Sequence, residues 1–221
     1  MVYTRYGIYF TPRPGPFADA GAAWLGWDIA HGRAVGTPDD RITKRPRKYG
    51  FHGTIKPPFR LSEGQNLEAL QEATAKLAAT LAPVALDGVT LDRIGRFLAL
   101  TPVGDTRPLG DLAAEVVRTL DVFRAPPDAA ELARRRQSGL TPLQERNLQE
   151  WGYPHVMEAF RFHMTLTGPL PAELQGKVTS DAVAHFGDLP PRPFLIDSLT
   201  LAGEAEGGFF HEIQRHSLGR G

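Results

Sequence analysis

The alternation of apolar and polar positions divides the chain into short strands and amphipathic helices. Residues 6–10 are aromatic and β-branched and run into Thr11-Pro12-Arg13-Pro14-Gly15-Pro16, the pattern of a strand ending in a loop. Residues 17–25 suit a short helix, and residues 31–48, rich in Gly, Pro and basic groups, suit a surface loop. A strand is expected over 51–55, stopped by Pro57-Pro58. Leu67, Leu70, Leu77 and Leu81 stand at helical spacing among Glu, Gln and Lys, so 67–81 reads as a helix. Residues 84–91 and 96–103 read as partnered strands, and 109–123 as another helix. The stretch 124–159 differs in kind. Pro126-Pro127-Asp128 opens a helix carrying Arg134-Arg135-Arg136, Thr141-Pro142 starts a second, and Trp151-Gly152-Tyr153-Pro154 breaks the chain. It reads as a helical insert. A strand at 160–167, a helix at 171–186 and paired strands at 194–201 and 209–216 complete the pattern.

The two sides of the insert repeat one another. Phe51-His52-Gly53-Thr54-Ile55 with Pro58 matches Phe162-His163-Met164-Thr165-Leu166 with Pro169 at a constant offset of 111. Downstream, Leu86-Asp87-Gly88-Val89-Thr90-Leu91 matches Ile196-Asp197-Ser198-Leu199-Thr200-Leu201 at an offset of 110. Each unit is a His-x-Thr strand, a helix and a hairpin, which implies an α+β fold. The expectation is a single domain over 1–221, a bilobal pseudo-twofold duplication with two antiparallel sheets lining a central cleft and helices outside. The first-motif lobe is expected around 45–123, the second around 160–218, and the insert at about 124–159.

Composition narrows the chemistry. The 25 Lys and Arg balance 25 Asp and Glu, which weighs against long nucleic acid as a partner and leaves any anion to local groups. Cysteine is absent, which removes disulfides, thiolate nucleophiles and zinc-thiolate sites and fits a cytoplasmic setting. No basic stretch followed by an apolar segment opens the sequence, so no signal peptide is expected. No window approaches the roughly 18 apolar residues of a membrane span.

Residues i and i+2 of a strand share a face. His52 and Thr54 therefore point together, as do His163 and Thr165, while Phe51, Gly53, Ile55 and Phe162, Met164, Leu166 take the opposite, core face. Two imidazoles and two hydroxyls converging on one cleft suit phosphodiester cleavage. One neutral imidazole takes a proton, the other protonated one supplies a proton to the leaving oxygen, and the hydroxyls bind non-bridging oxygens. One His-x-Thr alone is ordinarily a core or surface feature; two in matching frames are not. By the same parity Lys56 and Arg161 beside His163 are candidate substrate contacts, as are Thr167, the counterpart of Lys56 at the offset of 111, and Tyr9 on the first strand. The basic run 134–136 is by default a solvated helix face; its functional reading is a lid that covers the cleft or contacts a second phosphate. His31, His155, His185, His211 and His216 carry no ligand spacing, so no metal site and no cofactor are expected.

The tetrads His52-Gly53-Thr54-Ile55 and His163-Met164-Thr165-Leu166 resemble those of the 2H phosphoesterase superfamily. Lys48-Tyr49-Gly50-Phe51-His52-Gly53-Thr54-Ile55-Lys56-Pro57-Pro58-Phe59, Arg5-Tyr6-Gly7-Ile8-Tyr9 and Trp151-Gly152-Tyr153-Pro154 look like the bacterial DUF1045 family, associated with phosphonate breakdown. The resemblance implies catalysis by His52 and His163, phosphate binding by Thr54 and Thr165, and no metal. It also implies a phosphoric diester hydrolase that opens a small cyclic phosphate, such as a phosphoribosyl cyclic phosphate. Two alternatives stay open: a 2′,3′-cyclic phosphodiesterase or 2′-5′ ligase-like enzyme acting on RNA ends or nucleotides, and a non-catalytic module that binds phosphate esters. The oligomeric state and the division of acid and base between the histidines are not readable.

Overall fold

A computed structural model describes residues 2–137 and 139–219, leaving residue 138 of the expected insert outside. In chain order the elements are β1 (Tyr3–Phe10), α1 (Pro16–Leu25), β2 (Trp27–Asp28), β3 (Arg33–Ala34), α2 (Asp40–Arg47), β4 (Gly53–Phe59), α3 (Leu67–Ala78), β5 (Val84–Leu86), β6 (Gly88–Ile94), β7 (Phe97–Val103), α4 (Arg107–Thr119), α5 (Ala129–Arg136), α6 (Pro142–Trp151), β8 (Met164–Thr165), α7 (Ala172–Phe186), β9 (Phe194–Ile196), β10 (Ser198–Ala205) and β11 (Phe210–Ser217). The fold is α+β, and every strand pairing is antiparallel.

Seven strands run in the order β11-β10-β1-β4-β8-β7-β6. They form two half-sheets joined at the single pair Gly53–Met164. Those two residues are equivalents in the repeat, 111 apart, and in the separate β5–β9 ribbon the facing residues Ala85 and Leu195 are equivalents 110 apart. Residues that pair with their own equivalents lie on the axis relating two units, so both pairs mark the pseudo-twofold.

The lobes do not follow the expected boundaries of 45–123 and 160–218. The β6–β7 hairpin of the first repeat pairs with β8 of the second, while β10–β11 of the second repeat joins β1 and, through it, β4 of the first. Each motif strand thus lies in a half-sheet completed by the other repeat's hairpin. Asp87 and Asp197 interrupt the strands expected at 84–91 and 194–201, and there the chain passes from the small ribbon into the large sheet.

The core face agrees with parity. Phe51, Ile55, Phe162, Met164 and Leu166 are all at most 5% exposed and join one cluster with residues of α1, α3, α4 and α7. The insert is helical, as expected, with α6 held by a capping box at Thr141 and Gln144. Three local readings change. Residues 40–47 form α2, capped by the Asp39 side chain accepting the Arg41 N–H; its buried Ile42, Thr43 and Pro46 are hidden in a basic sequence. Pro57 and Pro58 stay inside β4, because they lie past its one pair with β8 and, toward β1, fall in the register shift between the Ile8–Lys56 and Tyr6–Phe59 pairs. The strand expected at 160–167 contracts to Met164–Thr165 after a 3₁₀ turn at Met157–Ala159. Among the described residues no helix is long and apolar enough to cross a membrane.

Candidate active site

The Gly53–Met164 pair sets the geometry of the site. In antiparallel register it places His52 opposite Thr165 and Thr54 opposite His163. Directly facing residues share a face with Cβ atoms about 5 Å apart, and diagonal ones about 7–8 Å apart. The two histidines and two threonines therefore form a crossed square on one wall of a cleft of about 900 Å³, and all four line it.

Each imidazole is anchored by the same bond. His52 Nδ1 lies 2.9 Å from the Gly50 carbonyl, and His163 Nδ1 lies 2.8 Å from the Arg161 carbonyl. A carbonyl only accepts, so both Nδ1 atoms carry hydrogen and both Nε2 atoms are left to the cleft. Gly50 makes its anchor possible: its φ of 70° lies in the left-handed region, and a Cβ there would stand 2.7 Å from Ile29. The Thr54 hydroxyl lies 3.0 Å from His52 Nε2 and donates to its lone pair.

The histidines differ in surroundings. The Tyr9 ring packs on His52 at 4.0 Å between centroids, with Tyr49 at 6.1 Å, whereas His163 has Phe97 at 5.8 Å. Burial pushes the His52 pKa down to about 4; the bond to Gly50 opposes this, and the neighbouring His163 charge adds to it. His52 is thus a neutral imidazole at pH 7 with its Nε2 lone pair facing the cleft. Among the described residues no group of three or more His, Asp or Glu side chains is arranged to hold a metal ion.

Tyr9 lies in the cleft floor, fully buried against His52. Lys56 does not face the cleft. It is 2% exposed, and its Nζ donates to Asp121 Oδ1 at 3.0 Å and to the Val117 carbonyl at 3.2 Å. A β-bulge explains the reversal: Tyr9 faces Thr54 but Ile8 faces Lys56, so β4 advances two residues for one of β1 and the alternation slips. Arg161 also misses the cleft, because strand geometry begins only at Met164. Its Nη1 donates to the Phe160 and Glu158 carbonyls. Thr167 lines the cleft, but its Oγ1 accepts the Leu98 N–H at 3.0 Å and ties the end of β8 to β7.

The cleft also gathers groups that strand parity does not identify. Arg5 comes from β1, Arg45 from α2, Tyr49 from the loop before the first motif, and Arg134, Arg135 and Tyr153 from the insert. The basic run was visible in the sequence, but its position over the cleft depends on packing between segments far apart in the chain.

A family profile described as "Protein of unknown function (DUF1045)" matches residues 54–211. A Janthinobacterium sp. (strain Marseille) protein named "Ribose 1,5-bisphosphate phosphokinase PhnN" is 40% identical over 96% of this chain and 50% of its own length. The protein of that name from Laribacter hongkongensis (strain HLHK9) is 33% identical over 92% of this chain and 49% of its own length. The chain spans about half the length of these curated relatives. A solved structure with a similar course is that of E. coli LigT complexed with NADP+, with a TM-score of 0.44 and 13% identity over 99% of each chain. The profile takes in both threonines, the insert, His163 and strands β5 to β10, and on that match the chain belongs to the DUF1045 family.

Proposed function

We propose that the chain hydrolyses a cyclic phosphodiester to a monoester, with His52 as general base and His163 as general acid. The observation that carries the reading is the crossed His/Thr square, in which both imidazoles are fixed through Nδ1 and present Nε2 to one cleft. Water attacks phosphorus and gives its proton to His52 Nε2. The ring P–O bond breaks, and the leaving oxygen takes the proton from His163 Nε2. Thr54 and Thr165 donate to the non-bridging oxygens, whose charge grows in the transition state. Thr54 also donates to His52 Nε2 at 3.0 Å, so turning that hydroxyl toward a phosphate oxygen frees the base.

The preferred substrate is a small phosphorylated ribose carrying a cyclic phosphate. The relatives' name supports a phosphorylated ribose and also raises a kinase. The kinase reading is the weaker one for this chain, whose sequence holds no G-x-x-x-x-G-K-[S/T] phosphate loop. The test is turnover, in chelator, of a 5-phosphoribosyl 1,2-cyclic phosphate, a nucleoside 2′,3′-cyclic phosphate and a 2′-5′ dinucleotide, beside ATP with ribose 1,5-bisphosphate. Ring opening of the first is expected. Phosphoryl transfer from ATP without ring opening, or ring opening only with added metal, would sink the proposal.

The pH dependence follows from His52. A base must be unprotonated, and burial has moved its proton loss to about pH 4. The acidic limb of kcat/KM is therefore expected near pH 4 rather than near 6.5, the usual value for imidazole. A limb at 6 or above in a profile from pH 3 to 8 would count against His52 as the base.

A further inference from the structure

The cleft holds more positive charge than one phosphodiester accounts for. Arg5, Arg45, Arg60, Arg134 and Arg135 line it against Asp128 and Glu131, in a chain whose formal net charge is zero. Arg60 spans to Asp128 and Glu131 at 3.5 Å each, and Arg5 is paired with Glu204 at 2.6 Å. Among the described residues Arg45 and Arg134 have no hydrogen bond or ion pair. Both come from helices, whereas the His/Thr square lies where β4 and β8 begin and meet.

A second, independent feature lies in the floor. Tyr9 is fully buried, yet its hydroxyl has no hydrogen-bond partner. A buried donor left without a protein partner is costly, and in native proteins such a group is met by a water or an ion or has a role in the site. Arg5, Gly7 and Tyr9 alternate on one face of β1, and Gly7 leaves the space the ring occupies: a Cβ there would lie 2.7 Å from it. The ring therefore runs along the strand from His52 toward Arg5, and its hydroxyl feels Tyr49, Arg5 and Tyr153. Tyr153 in turn lies under Arg135 at 4.7 Å and within the influence of Arg45.

We propose that this end of the cleft is a second anion subsite, in which Arg45, Arg134 and the Tyr9, Tyr49 and Tyr153 hydroxyls, with Arg5 behind them, take a phosphate monoester on the same molecule whose cyclic diester meets His52 and His163. The subsite rests on the phosphodiesterase reading and adds to it the place in the cleft where the terminal phosphate of a small sugar with one cyclic and one terminal phosphate is held. Guanidinium groups suit a terminal phosphate, which offers two or three oxygens to a planar fork and carries close to two charges. The diester, with one charge, is left to the neutral hydroxyls and the imidazoles.

Binding and turnover test separate parts of this. Ribose 5-phosphate, a monoester with no diester to cleave, is titrated calorimetrically into the wild-type protein, with ribose and AMP as comparisons. Saturable binding of ribose 5-phosphate and none of ribose is expected, weakened tenfold or more in Arg45→Ala and in Arg134→Ala. Tyr9→Phe, which deletes only the unpartnered hydroxyl, is expected to weaken binding while raising Tm. In turnover, the 5-phosphate of a ribose cyclic phosphate lowers KM tenfold or more in wild type and gives little advantage in Arg45→Ala. Binding untouched by the three substitutions, or a KM indifferent to the 5-phosphate, overturns the subsite and leaves the two-histidine reading standing. Tenfold tighter binding of AMP overturns the small-sugar class. The expected binding with no cyclic diester turned over supports the subsite and removes the phosphodiesterase.

Discussion

His52→Ala and His163→Ala each lower kcat/KM for ring opening by about 10²–10⁴-fold, the usual contribution of a general acid or base. Their residual activities are expected to differ in kind. Without His52, hydroxide must replace the activated water, so the remaining rate climbs with pH and the limb near pH 4 disappears. Without His163, the leaving oxygen departs unprotonated, so the defect depends on the leaving group. A nitrophenyl phosphodiester, whose phenolate leaves without a proton, should be cleaved by His163→Ala at close to the wild-type rate and by His52→Ala poorly. The reversed pattern would exchange the two roles. Activity retained in both variants would end the two-histidine mechanism. Because the residues act as one unit, the double variant should lose little more than the worse single one.

The second large effect is on stability. The Lys56 ammonium is buried, which pushes its pKa down to about 8, with Asp121 pulling the other way. Asp121 also accepts from Arg124 at 2.7 and 2.9 Å, so the two partners are not equally dependent on one another. Asp121→Ala leaves Lys56 with the Val117 carbonyl and the face of the Phe59 ring, and breaking a buried pair in this way costs about 3–5 kcal/mol. Deprotonation limits the loss at pH 7: with the wild-type value near 8, giving up the proton there costs about 1.4 kcal/mol, so the loss falls toward the low end of that range, the rest being the hydrogen bonds that Lys56 and Arg124 lose. The sign follows by linkage. The unfolded chain keeps the proton to about 10.4, while the folded variant loses it below the wild-type value of about 8, so the deficit shrinks between pH 6 and 9. Lys56→Met keeps the buried stem and leaves Asp121 with Arg124, so it should cost only about 1 kcal/mol. Urea unfolding at several pH values checks both. Equal costs for the two variants would mean that packing of the lysine stem, not its charge, is what counts.

The residues that sequence reasoning places correctly depend on local periodicity. His52, Thr54, His163 and Thr165 fall on one face and Phe51, Ile55, Phe162, Met164 and Leu166 on the other, because alternation holds over so short a distance. Lys56 lies only two residues farther, yet the bulge opposite Ile8 and Tyr9 carries no sequence mark and turns it inward. Arg161 failed for a related reason, the want of a strand before Met164. The offset of 111 shows which residues are equivalent, and the pairing of Gly53 with Met164 agrees with it. Equivalence does not say which hairpin completes which half-sheet. Nor does it bring Arg45, Arg134 and Tyr153 to the cleft, since that depends on distant segments docking.

The exchanged hairpins bear on the order in which the molecule can be assembled. Strand β1 lies between β4 and β10, and its pairing joins Tyr3 to Ala205 and Tyr9 to Thr200. At roughly 5–20 residues per second, a ribosome needs about 10–40 s to pass from β1 to the end of β10. Through that interval β1 can close only the side toward β4, and its other edge of unpaired N–H and C=O groups stays open. Contacts so far apart in the chain also make the final closure slow once synthesis has caught up. The strand that carries Arg5 and Tyr9 to the cleft floor is therefore made well before the partner that encloses it.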